Sequence, residues 1–223
     1  MEKAFLFDLN GTMIDDMQYH LKAWYHILND DLGANLSWEE TKRHMYGKNS
    51  ELLIRVFGKD KFTQAQMDEL SMEKEKRYQQ EYRPHLKLFP GLHEFLESAY
   101  TAGIPMAIGS AAIMFNIDFV LDNLNIRHYF KSIVSADDVQ ISKPDPETYI
   151  KGMQQLGINN PTNCIVFEDA PKGVEAAANA GMHCVTITSL HPEAEFTEYK
   201  NIIKFTEDYS TITPEGLLQL ITV

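Results

Sequence analysis

A set of short apolar runs constrains this chain more than any other feature. Ala4-Phe5-Leu6-Phe7, Ile104-Pro105-Met106-Ala107-Ile108, Ile133-Val134, Ile165-Val166-Phe167 and Val185-Thr186-Ile187 are rich in branched or aromatic residues and apolar on both faces. A strand with one wet face would alternate polar and apolar residues, so these runs read as parallel strands buried on both sides. Helical patterns lie between them. Leu92, Phe95, Leu96 and Ala99 recur at i, i+3, i+4 and i+7, and Pro171 opens a second helix that Gly181 closes. Strands alternating with helices predict an open, Rossmann-like α/β sheet.

One region breaks the alternation. From about Asp15 to Pro84 there is no convincing strand, but Leu21, Trp24, Tyr25 and Leu28 make one apolar helical face, and Leu52, Leu53, Val56 and Phe57 make another. The stretch QAQMDELSMEKEKRYQQEY adds a long charged helix. The pattern predicts an all-helical cap, residues 15–85, inserted directly after the first strand of a core formed by residues 1–14 and 86–223. Its simplest place is over the carboxyl edge of the sheet, where open α/β folds bind ligands. LFPGL, residues 88–92, marks the return to the core, and Ile202-Ile203-Lys204-Phe205 reads as an edge strand.

Composition narrows the function classes. With 223 residues and 44% hydrophobic content the chain can fill a substantial core. Its net charge of −12, from 32 acidic against 20 basic residues, argues against a nucleic-acid or anionic-membrane surface. No stretch approaches about 18 uninterrupted apolar residues. Cys164 and Cys184 each sit inside an apolar run and read as reduced core thiols. A cytoplasmic protein, monomeric and acting on a small molecule, is expected.

The residues that carry chemistry fall at the ends of the apolar runs. In FLFDLNGTMID, Asp8 follows the first strand, and Gly11-Thr12 supply a turn whose N–H groups can face an anion. A carboxylate so placed can be a nucleophile. AIGSAA puts Ser110 just past another strand, ISKPDPETY puts Lys143 in a loop before a helix, and VFEDAPKG puts Glu168 and Asp169 at a third strand end. A hydroxyl and an ammonium to hold a phosphoryl group, with carboxylates to hold Mg²⁺, are the inventory of phosphoryl transfer.

With these four motifs the chain resembles the haloacid dehalogenase superfamily, and within it the β-phosphoglucomutase-like subfamily with a helical cap. DLNGT stands for the family's D-x-D-G-T, and the other motifs follow in order over essentially the whole chain. The resemblance implies an aspartyl-phosphate mechanism with Asp8 as nucleophile. It implies Mg²⁺ held by Asp8, the backbone carbonyl of Asn10 and Asp169, with Glu168 in or next to that shell. Ser110, the Ala111 amide and Lys143 would hold the phosphoryl oxygens.

Asn10 departs from the pattern. The family has there the aspartate that protonates the leaving oxygen and then activates the acceptor, and an amide does neither. Three readings stay open: a substitution that traps a complex, an enzyme that uses another acid or none, and a phosphometabolite-binding protein with little turnover. In the cap, YHLKAW resembles the first cap helix of β-phosphoglucomutases, which makes His20 a candidate proton shuttle. Gly47 matches a loop that contacts sugar phosphates. Lys74 falls where the family has a cap lysine, although a solvated helix charge explains it as simply. Ser50 stands where an arginine would clamp a second phosphate, which favours a singly phosphorylated substrate over a mutase's bisphosphate, unless Lys48 compensates. The expected activity is a Mg²⁺-dependent phosphatase or phosphotransferase acting on a small phosphorylated metabolite, a sugar phosphate, with a hexose-phosphate mutase or a phosphometabolite-binding protein as the alternatives. His183 lacks partners at zinc spacing.

Overall fold

The computed structural model describes residues 2–221. The chain divides into two compact units, one running to Asp15 and resuming at Lys87, the other Asp16–Leu86.

The first unit is built on six parallel strands: β1 (Ala4–Phe7), β2 (Met106–Gly109), β3 (Ser132–Val134), β4 (Cys164–Glu168), β5 (His183–Ile187) and β6 (Ile202–Thr206). Their order is β3-β2-β1-β4-β5-β6. The chain therefore winds outward from β1 to β3 and then returns to pair β4 on the other side of β1. That reversal opens a crevice at the carboxyl ends of β1 and β4, the place where doubly wound sheets hold ligands. Register brings the two ends level, with Phe7 opposite Phe167.

Both faces of β1 are buried, as its sequence requires. On one face Phe5 and Phe7 pack with Phe95 and Phe167, and the Phe7 and Phe167 rings stack at 4.4 Å between centroids. On the other, Ala4 and Leu6 join Ala107, Tyr149, Met153, Val166, Val174 and Cys184. The helices α5 (Leu92–Thr101), α6 (Met114–Asn123), α7 (Glu147–Gln155), α8 (Pro171–Asn179) and α9 (Pro214–Leu220) belong to this unit, and the four helices that precede them in the chain, between Met17 and Tyr82, to the other. Helix α8 starts with Pro171 in its first turn and stops before Gly181, whose φ of +75° is readily adopted only by glycine. Cys164 and Cys184 are free and buried.

The second unit is helical, with no strand among its described residues. Helix α1 (Met17–His26) runs on into a wider turn, Ile27–Asp31, and is followed by α2 (Trp38–His44), α3 (Asn49–Phe57) and α4 (Gln64–Tyr82). Its core is Trp24, Ile27, Leu28, Leu52, Leu53 and Met67. Periodicity does not mark helix α2, whose start is instead signalled by the reciprocal cap of Ser37 and Glu40. Thr63 and Gln66 do the same for α4.

The interior of this unit also holds charge. Lys74 and Glu75 are each 3% exposed, so the reading of Lys74 as a solvated charge does not hold. The Lys74 ammonium donates to both Glu75 oxygens at 2.9 Å and contacts His20 Nδ1 at 2.6 Å. Asn49 donates to Glu75 Oε1 at 2.7 Å. Burial works against the Glu75 carboxylate, but Lys74, His20 and Asn49 outweigh it and hold its pKa down at about 2, against 4.5 ordinarily. A lowered carboxylate pKa contributes stability above about pH 4.5 that is lost as pH falls toward about 2. Glu75→Gln should cost about 3 kcal/mol at pH 7 by leaving the buried ammonium uncompensated. In urea unfolding the gap from the parent should narrow measurably at about pH 3; an equal gap at both pH values would show that the carboxylate charge is not what matters.

Candidate active site

The carboxyl ends of β1 and β4 and the loop before α7 place three of the expected residues in one network. Asp8 follows β1 and is 7% exposed. Lys143, joined to Pro144 by a cis peptide, reaches back from its loop with a side chain 9% exposed. Its ammonium donates to Asp8 Oδ1 at 2.6 Å, to Glu168 Oε1 at 2.6 Å and to the Gly109 carbonyl at 3.0 Å. Burial disfavours this charge, but Asp8 and Glu168 outweigh it, and the lysine pKa is raised. Lys143 is therefore a fixed cation between two carboxylates.

Asp169 completes the acidic group. It is 3% exposed and accepts from Thr12 Oγ1 at 3.1 Å. Burial, then the charges of Glu168 and Asp8, push its pKa well above the ordinary carboxylate range. Donor oxygens of Asp8, Glu168 and Asp169 lie within 4.8 Å of one another, the one such group of three metal-ligating side chains among the described residues. Crowded, desolvated carboxylates offering oxygen alone suit a hard divalent cation, whose charge would relieve the repulsion that raises Asp169.

Glycines make the crowding possible. A Cβ at Gly11, where φ is +77°, would fall 2.2 Å from Asp169 Oδ2. One at Gly173, in the first turn of α8, would fall 1.8 Å from Glu168 Oε1. Neither position can carry a side chain while the carboxylates keep their places.

Ser110 is 1% exposed at the end of β2, and its hydroxyl accepts from the Ala112 N–H at 3.1 Å; Ala111 beside it is exposed. Asn10 is half-buried on the turn after β1. That turn is braced by Ser189 donating to the Gly11 carbonyl at 2.7 Å and Tyr209 donating to the Thr12 carbonyl at 3.2 Å.

The expected cap residues all fall in the helical unit. His20 and Lys74 meet there; His20 Nε2 lies 3.3 Å from Asp16 Oδ2, and its Nδ1 accepts a hydrogen bond from Lys74, because an ammonium only donates. Both ring nitrogens are engaged within the unit, which weakens the reading of His20 as a free proton shuttle. Gly47 (φ +71°) and Lys48 lie on the connection between α2 and α3, and Ser50 is in the first turn of α3. Arg55 supports that connection by donating to the carbonyls of His44, at 2.7 Å, and Tyr46, with its guanidinium 3.8 Å above the Tyr46 ring.

Sequence reasoning missed Thr12 as a partner of Asp169, the braces Ser189 and Tyr209, and Tyr149, whose hydroxyl donates to Glu168 Oε1 at 2.6 Å. Tyr149 was visible in ISKPDPETY, but a tyrosine on an apolar helix face reads as packing.

The parallel sheet thus carries a buried lysine between two carboxylates, with a third carboxylate beside them, at its switch point. Residues 5–187 match the haloacid dehalogenase-like hydrolase family, and the chain belongs to it. It is 31% identical to the fructose-1-phosphate phosphatase of Escherichia coli, over 83% of this chain and 96% of that one. It is equally 31% identical to the β-phosphoglucomutase of Bacillus subtilis, over 85% of each. The crystal structure of β-phosphoglucomutase from Clostridium difficile superposes with a TM-score of 0.84 at 25% identity, covering 99% of this chain and 97% of that one. The chain is thus a hydrolase-family enzyme of the β-phosphoglucomutase-like branch. No helix among the described residues is long and apolar enough to cross a membrane.

Proposed function

We propose that this enzyme is a Mg²⁺-dependent phosphatase that acts through an aspartyl-phosphate on a small phosphorylated metabolite, a sugar phosphate. The observation that carries the reading is the Lys143 ammonium, 2.6 Å from both Asp8 and Glu168 at the sheet's switch point. Asp8 attacks phosphorus, and the ester oxygen leaves; water then cleaves the acyl phosphate and returns the carboxylate. Ser110, the Ala111 amide and Lys143 hold the phosphoryl oxygens, where negative charge grows in the transition state.

Asp8, Asp169 and the Asn10 carbonyl would ligate the metal, which neutralises charge between two anions that otherwise repel. Glu168 stands beside that set in this reading. Its Oε1 already accepts from Lys143 and Tyr149, and its Oε2 from the Asp169 and Ala170 N–H groups at 3.1 and 3.3 Å. Four donors use the four lone-pair directions of a carboxylate.

Ser50, where a mutase would clamp a second phosphate, favours hydrolysis of a monophosphate over the mutase reading. The relatives are consistent with a sugar-phosphate substrate, since one is a fructose-1-phosphate phosphatase. A reducing, cytoplasmic setting is consistent with the two buried free cysteines. Chelation should abolish phosphate release from sugar monophosphates, and Mg²⁺ should restore it where Zn²⁺ does not, because oxygen ligands alone favour the harder ion. Full activity after exhaustive chelation would overturn the proposal.

A further inference from the structure

Tyr149 is buried completely, yet its hydroxyl is not in an apolar setting. It donates 2.6 Å to the same Glu168 Oε1 that Lys143 reaches, while the Lys143 ammonium lies 4.7 Å from the centroid of its ring. One side chain thus touches both members of the pair, the carboxylate through its hydroxyl and the cation through its π face. A phenol hydroxyl facing a carboxylate oxygen has only its own proton to share, so Tyr149 is the donor in this bond. Space for the ring comes from Gly109: a Cβ there would lie 3.1 Å from two of its carbons. The same glycine lends its carbonyl to Lys143.

Without the hydroxyl, Glu168 Oε1 would have only Lys143 to fix it. That oxygen could then swing toward Asp8 and Asp169, or draw the lysine away from Asp8. A phenylalanine would fill the same volume and keep the ring under the ammonium, so packing does not account for the hydroxyl.

We propose that Tyr149 is a positioning residue of the phosphoryl-transfer site: by holding Glu168 it fixes Lys143 against Asp8 and keeps Glu168 beside the metal ligands and out of the ligand set. The inference rests on the functional reading above. It concerns a residue that acts through two others and does not itself reach the substrate.

The test uses the full chain and Mg²⁺ alone as the first probe. Titration calorimetry of Tyr149→Phe should show Mg²⁺ binding weakened about tenfold, the range seen when a partner of a metal-site residue is removed. Formation of the phosphoenzyme from p-nitrophenyl phosphate should slow about tenfold, with half-saturation by the ester unchanged. Adding Tyr149→Phe to Glu168→Gln should cost far less than tenfold further in Mg²⁺ affinity, because the carboxylate it positions is already gone. Circular dichroism and thermal unfolding establish that each variant is folded; should Tyr149→Phe not fold, Tyr149→Met takes its place with the same expectations.

Unchanged Mg²⁺ affinity and rate in the folded single variant would overturn the proposal. So would a full tenfold loss on top of Glu168→Gln, since that is the signature of a packing defect independent of Glu168. A parent protein that binds no Mg²⁺ and forms no phosphoenzyme would remove the functional reading and this inference together, whereas a parent that does both while Tyr149→Phe matches it removes only the inference.

Discussion

Replacing Asn10 by aspartate should raise the turnover of sugar monophosphates by about 10² or more. The reasoning runs through the leaving group. A sugar alkoxide is a poor leaving group, and without a proton donor it departs from phosphorus with its full charge. The Asn10 amide has no proton to give at neutral pH, so the chain as it stands lacks the general acid at that position. An aspartate at 10 would stand two residues from Asp8, beside a group in which Asp8, Glu168 and Asp169 face the ammonium of Lys143. Like charges favour its protonated form, which is what a general acid requires. The measurement is phosphate release from sugar monophosphates by parent and Asn10→Asp protein at saturating Mg²⁺. Equal, brisk turnover by both would show that the proton comes from elsewhere. His20 is a poor source for it, with Lys74 donating into one ring nitrogen and Asp16 beside the other. Tight ligand binding by both variants with no turnover by either would establish a binding protein instead.

The second large effect concerns Asp8. With p-nitrophenyl phosphate the leaving group needs little protonation, so the parent should release a burst of p-nitrophenol as Asp8 is phosphorylated, then settle to a slow steady rate because nothing at position 10 activates water. Asp8→Asn should abolish burst and steady state alike, in the parent and in the Asn10→Asp background. The variant is nearly isosteric and removes one of three crowded carboxylates, so its loss of activity is not expected to come from unfolding. Rapid-quench kinetics with mass analysis of the trapped protein would read both phases. A burst that survives Asp8→Asn would place the nucleophile on another residue and undo the mechanism.

Much of this molecule was legible because parallel strands write themselves plainly. The inner ones are short, doubly apolar runs, and the residue at or just beyond the carboxyl end of each lies at the ligand edge of the sheet. Asp8, Ser110, Glu168 and Asp169 could be placed that way without coordinates. Side chains that act from the packed faces were harder. Tyr149 has the apolar surroundings of a core residue, and only its 2.6 Å bond to Glu168 reveals the polar end. The burial of Lys74 was hidden for the opposite reason. Helix α4 is so charged that its buried side, on which Met67, Lys74, Tyr78 and Tyr82 share one face, is too sparse in apolar residues to announce itself. The missed helix α2 is only seven residues long, and its clearest signal is a cap and not a period. Gly173 illustrates a further limit: a glycine after a helix-opening proline looks like a propensity defect until the carboxylate above it is seen.

That glycine also sets a boundary on how this enzyme can be improved. Exchanging a helical glycine for alanine is among the commonest routes to a more heat-tolerant protein, with a gain of about 1 kcal/mol from propensity alone. At position 173 the route is closed, because the added methyl would occupy the place of the Glu168 carboxylate. Any sequence optimiser that scores local helix preference would nonetheless choose alanine there, and the displaced Glu168 would leave the buried Lys143 ammonium with one carboxylate partner fewer, a loss larger than the propensity gain. Robust variants of this enzyme are better sought in the surface of the sheet's outer helices than in the first turn of α8.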